Sequence, residues 1–141
     1  MATTIDKKNR EHNAITVNSI TSLSLNPPLI LFCIDNKSFN LKAFKKNKFF
    51  ALNILSEDQI DLSCEFAKTQ NQLKWSKEPH SFSKMNCPIF DNAIGYFECQ
   101  RSKIIKSGDH HIIIGKVLDF VKLNDKKPLL YYQGKYRFLA L

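Results

Sequence analysis

Hydrophobic and polar residues alternate along much of this chain with a period of two, which is the spacing of β-strands, and the alternation breaks at informative places. Residues 14–31 read AITVNSITSLSLNPPLIL, with apolar positions at Ile15 and Val17, then at Ile20, Leu23 and Leu25. The alternation therefore slips between Val17 and Ile20, which predicts a bulge or bend in a strand. Around the slip stand Thr16, Asn18, Ser19, Thr21, Ser22 and Ser24. These short donors and acceptors suit a polar, anionic ligand, and they suit a solvated edge strand equally well. Pro27 and Pro28 are expected to end the strand pairing there.

Downstream, the apolar run over 29–35 predicts a strand, and Ser38 is a candidate N-cap for a helix over FNLKAFKKN. Phe39, Ala43 and Phe44 would form its apolar stripe, and Lys45 and Lys46 would sit at its negative C-terminal end. FFALNIL (49–55) predicts a second strand, and Ser56 with Gln59 makes a capping-box pattern. Behind that box Ile60, Ser63, Cys64 and Ala67 share one helical face, with Leu62 and Phe66 beside it. Residues 69–88 are polar and aperiodic around Trp75, the pattern of a long loop or lid. Residues 93–106 and 110–123 read as a hairpin about Ser107-Gly108-Asp109, and PLLYY with KYRFLAL as a second pair about Gln133-Gly134. Many strands with few, short helices predict an antiparallel barrel.

Composition narrows the class. At 141 residues and 43% hydrophobic, the chain can bury one sizeable core and is expected to form one domain over 1–141. Its apolar runs are far shorter than the roughly 20 residues of a membrane helix. The start, MATTIDKKNREHN, has no apolar signal region, so a cytoplasmic location is the default expectation. Cys33, Cys64, Cys87 and Cys99 show no C-x-x-C spacing, so reduced thiols are expected and no metal site. The net charge of +8 comes almost wholly from scattered lysines, with only three arginines. That distribution argues against nucleic-acid binding and for attraction of small anions such as nucleotides.

The ordered segments AITVNSITSLSLNPPLILFCID, NKS, FFALNILSEDQIDLSCEFA, YFEC, GDHHIIIGKV and PLLYYQGKYR resemble the successive motifs of the flavin reductase-like, FMN-binding split-barrel family. That family includes the reductase components of two-component flavin monooxygenases. The resemblance runs from about Thr3 onward and implies a mainly β fold with short helices: an antiparallel split β-barrel forming a homodimer. It further implies binding of FMN, or FAD, and its reduction by NADH or NADPH, with the reduced flavin passed to a monooxygenase component. On matching positions it places Asn18, Ser19, Thr21 and Ser22 on the flavin ring, ribityl or phosphate oxygens. Ser38 matches a phosphate-binding position, and Asn40 stands where relatives often carry Thr. Asn53, the lone polar residue inside FFALNIL, and the Leu55 backbone would meet the ring edge; an Asn bonded only to neighbouring backbone is the plainer reading of Asn53. His110 matches the family's histidine near the nicotinamide, with Tyr132 and Arg137 as weaker nicotinamide-binding candidates and Lys74 as a basic position near the flavin phosphate.

One departure stands out. Relatives begin with a helix and a strand reading like T-G-V-T-V-V-T-T, whereas Met1-Ala2-Thr3-Thr4 matches only the end of that strand, so part of the N-terminal helix and first strand is expected to be lacking. A start upstream of Met1, a partner that covers the gap and an incomplete barrel are all compatible with this. The leading function is thus an NAD(P)H:flavin oxidoreductase. The alternatives are a split barrel that retains FMN and reduces another substrate, and a non-enzymatic β-barrel binding single-stranded nucleic acid through its lysines.

Overall fold

The structure is a computed structural model describing residues 1–6, 8, 10–68, 75 and 77–140. In chain order its elements are β1 (Ala2–Asp6), β2 (Glu11–Ile15), β3 (Thr21–Leu25), β4 (Pro28–Asp35), α1 (Leu41–Lys46), β5 (Phe49–Ile54), a 3-10 turn (Glu57–Gln59), α2 (Ile60–Ala67), β6 (His80–Phe82), β7 (Pro88–Phe90), β8 (Gly95–Ser107), β9 (His110–Lys122), β10 (Leu130–Tyr132) and β11 (Lys135–Arg137). Seven strands form one antiparallel sheet in the order β2-β1-β5-β8-β9-β4-β3. Among the described residues no helix is long and apolar enough to cross a membrane.

The expected slip in 14–31 is larger than a bulge. β2 and β3, consecutive in the chain, occupy opposite edges of the sheet. Residues 16–20 alone join them, and a link that short spans at most about 20 Å. The sheet must therefore curl until its edges approach, which makes an antiparallel barrel split between β2 and β3. Residues 16–20 cross the split and are fastened to α2, where the Thr16 N–H donates to the Phe66 carbonyl at 3.0 Å and Thr16 Oγ1 to the Ser63 carbonyl at 2.7 Å. A true bulge also exists, further on, between Ser22 and Ser24. Pro28 opens β4 as its first residue rather than closing the pairing, since its register partner is Leu25 and pairing with β9 begins at Leu29.

The residues at the start form a strand with neighbours on both sides. β1 pairs with β2 along Ala2–Asp6 and with β5 at Ala2 and Thr3. Ile15 and Val17 are half-buried against the main core. That core is built by alternation: Ile30, Phe32 and Ile34 point inward from β4, Ile113 from β9, Phe50 and Leu52 from β5. Leu41 and Phe44 join it from α1, and the Phe32 ring lies 5.4 Å from both Phe44 and Phe50, edge to face. Gly115 on β9 is required there, because a Cβ would come within 2.4 Å of the Phe50 ring.

Three local expectations need correcting. Helix α1 begins at Leu41, three residues after Ser38, because the chain first makes a turn in which Asn40 N–H donates to Ser38 Oγ at 3.3 Å and Leu41 N–H to the Ser38 carbonyl at 3.1 Å. Phe39 is consequently exposed, and Leu41 with Phe44 makes the buried stripe. Behind Ser56 a 3-10 turn precedes α2, with the Ser56 N–H donating to Gln59 Oε1 at 3.0 Å. The described part of 69–88 is not all loop, since β6 pairs with β7 and buried Trp75 stacks on Phe90 at 5.3 Å. Both closing hairpins form as expected, with Gly108 at φ +58° in one turn and Gln133 and Gly134 at φ +50° and +72° in the other.

Candidate functional site

The crossing segment 16–20, the end of β5, α2 and the β10–β11 hairpin line a cavity of about 460 Å³. Its apolar wall includes Val17, Ile20, Leu55, Ala67, Leu129 and Leu130, and its polar lining includes Thr16, Asn18, Ser63, Tyr131 and Tyr136. The volume falls in the range of about 300–1,000 Å³ usual for small-molecule sites, and an apolar slot with a few placed polar groups suits a flat heteroaromatic ring.

Of the flavin-binding candidates placed by the family resemblance, Asn18, Asn53 and Leu55 line this cavity. Asn18 is exposed and its amide has no hydrogen bond among the described residues, so it is available to a ligand. Asn53 is differently placed: fully buried, it donates from Nδ2 to Thr3 Oγ1 at 3.2 Å and accepts at Oδ1 from the Phe90 N–H at 3.1 Å. Its side chain is a cross-link between β1, β5 and β7. Ser19 is likewise engaged, accepting from the Cys33 N–H at 2.8 Å and donating to the Cys33 carbonyl at 3.2 Å, so its hydroxyl replaces a missing rung on β4. Thr21 and Ser22 are exposed on β3, outside the cavity lining. The Leu55 carbonyl accepts from the Leu129 N–H at 2.9 Å, which carries the C-terminal segment across the cavity.

Ser38 lines a second, open hollow of about 470 Å³ together with Asn36, Leu41, Lys42, Lys45 and Lys46. His110 stands close by, opposite Asp35 in the β4–β9 register. Its Nδ1 lies 2.7 Å from Asp109 Oδ1, and that hydrogen bond raises its pKa above the ordinary imidazole value. His111 is buried on the inner face with Nδ1 2.6 Å from Asn36 Oδ1, and its pKa is lowered, first by burial and then by Lys45 and Lys106. The tip lies toward the Asn18 side of the cavity alone: Ser19 bonds to Cys33, so Asn18 continues toward the Asp35 end of β4, whereas Ile54 pairs with Gly95 at the end of β8 away from His110. Lys74 lies outside the described residues.

Tyr132 and Arg137 are exposed on the hairpin, off the cavity lining. Their neighbours Tyr131 and Tyr136 line it instead, paired across the hairpin with rings 5.2 Å apart. The Tyr136 hydroxyl donates to Ser63 Oγ at 2.8 Å and so fastens the hairpin to α2. A signal for this was present, since a two-residue turn at 133–134 pairs 132 with 135 and 131 with 136, putting the latter two on one face. Thr16 was marked by its place among the short polar residues at the slip, whereas Ser63 was read only as part of the α2 face.

A mostly antiparallel barrel with few, short helices is the architecture of split-barrel flavin reductases. The chain belongs to the flavin reductase like domain family, whose model matches residues 1–140. It is 36% identical over 125 residues to the stachydrine N-demethylase reductase subunit of Rhizobium meliloti (strain 1021), covering 86% of this chain and 52% of that one. It is 34% identical over 127 residues to the flavin-dependent monooxygenase reductase subunit HsaB of Mycobacterium tuberculosis (strain ATCC 25618 / H37Rv), covering 84% of this chain and 64% of that protein. Among solved structures, flavin reductase HpaC complexed with NADP+ superposes with a TM-score of 0.87 at 32% identity, over 98% of this chain and 86% of that one. The chain thus spans about half to two thirds of the length of the two curated relatives.

Proposed function

We propose that this chain is an NAD(P)H-dependent flavin reductase that holds the ring of FMN or FAD in the cavity at the barrel split and supplies reduced flavin to a monooxygenase component. The observation that carries this reading is the cavity itself, where an apolar slot from Val17, Ile20 and Leu129 meets the available amide of Asn18 and the hydroxyls of Tyr131 and Tyr136. Those residues fit a flavin. A bound flavin supplies the two-electron chemistry, taking a hydride from the nicotinamide and carrying it away in reduced form. The chain's own part is binding and orientation. The apolar wall excludes water from the ring, Asn18 fixes its polar edge, and the tip bearing His110, toward the Asn18 side, receives the nicotinamide nucleotide. Ser38, in the second hollow, is the residue we assign to a nucleotide phosphate, a reading supported by its match to the family's phosphate-binding position. The relatives' names, as reductase subunits of monooxygenases, support the place given to the product.

We further read the protein as a homodimer. Leu31 and Cys33 on β4 pair with Ile114 and Ile112 on β9, and Ile112 pairs with Ile105 on β8. All five are only partly buried and face away from the core. An apolar sheet face of this kind is suited to a second copy of itself. The function is tested by flavin titration of the purified protein, followed by NADH and NADPH oxidation with added FMN, FAD or no flavin. Turnover that requires added flavin supports the reductase reading, and flavin binding without any nicotinamide oxidation overturns it.

A further inference from the structure

Asn36 is the first residue past β4, and it continues the β4–β9 ladder one step beyond the last register pair, Asp35 with His110. Its N–H donates to the Asp109 carbonyl at 2.9 Å, and its Nδ2 donates to the Gly108 carbonyl at 3.1 Å. One residue thus takes both carbonyls of the turn that joins β8 to β9. A carbonyl can only accept, so the amide's NH2 faces Gly108 and its Oδ1 faces His111, whose Nδ1 lies 2.6 Å away. His111 must therefore carry its proton on Nδ1 to donate to that oxygen. With burial, Lys45 and Lys106 lowering its pKa, the ring holds that tautomer in its neutral form.

The turn needs such a hold. Gly108 and Asp109 are exposed and lie outside the core clusters, and turn tips of this kind belong to the low-stability end of a fold. Asp109 nonetheless has a task there, since its Oδ1 meets His110 Nδ1 at 2.7 Å. The other carboxylate acting on His110 is Asp35, across the ladder on β4, and Asp35 Oδ1 accepts from the Lys37 N–H at 2.7 Å. On β8 the residue opposite His110 is the uncharged Ser107. Orientation of the imidazole therefore falls to Asp109, and the placing of Asp109 falls to Asn36. Resting on the reading of His110 as the residue that meets the nicotinamide nucleotide, we propose that Asn36 is a positioning residue for the reaction, fixing the Asp109–His110 pair at the tip by holding the Gly108 and Asp109 carbonyls. It acts through His110 and not on the hydride itself.

A double-mutant cycle tests this, with kcat/KM for NADH and NADPH measured at saturating FMN in Asn36→Ala, His110→Ala and the double variant. Asn36→Ala alone is expected to lower kcat/KM by about tenfold to a hundredfold, the scale of a misplaced group, and to cost nothing further in the His110→Ala background. NMR titration of the His110 ring gives a second readout that a merely structural role would not move. In Asn36→Ala its pKa should fall toward the ordinary imidazole value, because Asp109 is no longer held beside it. Asn36→Ser is the milder variant if alanine perturbs folding. Losses that add in the double variant, an unchanged rate in Asn36→Ala or an unchanged His110 pKa each overturn the proposal. If His110→Ala itself leaves the rate unchanged, the nicotinamide reading of His110 falls instead, and the ring titration then decides whether Asn36 holds the pair.

Discussion

His110 and Asn53 are both polar residues in β-structure, and their surroundings divide them sharply. His110 is half-buried at a hairpin tip and holds its charge through Asp109, so its imidazolium is present below its pKa and lost as pH rises through that raised value. His110→Ala is expected to lower kcat/KM for the nicotinamide substrate while leaving the flavin Kd nearly unchanged. Asp109→Asn removes the cause of the raised pKa and should move the corresponding limb of the kcat/KM–pH profile to lower pH. Equal rates for His110→Ala and the unsubstituted protein would take the residue out of the site. Asn53 was conspicuous in the sequence as the one polar residue in FFALNIL, but its partners Thr3 and Phe90 are remote in the chain, and no spacing rule reveals them. Asn53→Ala strands the Phe90 N–H in the interior and should cost about 1–3 kcal/mol in urea unfolding. Flavin affinity should fall only as far as stability does.

At the scale of elements, the strands and hairpins were legible because a period of two and two-residue turns are local signals. Their relative placement was not. Residues 14–31 read as one irregular strand, yet β2 and β3 end at opposite sheet edges, which depends on which neighbours each finds and not on anything within the segment. The helix after Ser38 started late for a similar reason: the pattern pointed to Phe39 as an inward residue, and contact with the core settled on Leu41 instead. The C-terminal hairpin is held to α2 by Tyr136 and Ser63. Tyr136→Phe should loosen that attachment by about 1 kcal/mol. Faster amide exchange over residues 130–137, with weaker flavin binding, is the expected result; unchanged exchange would show that the hairpin is held by its apolar contacts alone.

For the molecule as a whole, the barrel class followed from strand count and the family resemblance, and the proposed dimer rests on the apolar face of β4, β8 and β9. Ile114 lies on that face while its neighbours Ile113 and Gly115 point into the core. Ile114→Asp should therefore leave the fold intact and convert a dimer to a monomer, because an unpaired carboxylate at an apolar interface is strongly unfavourable. Sedimentation of the variant and the unsubstituted protein checks this, and an unchanged mass would move the interface elsewhere. The crossing at residues 16–20 has a kinetic consequence as well. The strands it joins are neighbours in sequence but stand six places apart in the sheet, so their approach cannot be won by zipping one adjacent pair after another. Bringing them together must await the strands between, which makes barrel closure a late step on the folding path. The cavity then comes into being only with that last step, and a nucleotide that binds there acts on a nearly finished barrel, slowing its reopening more than it speeds its formation.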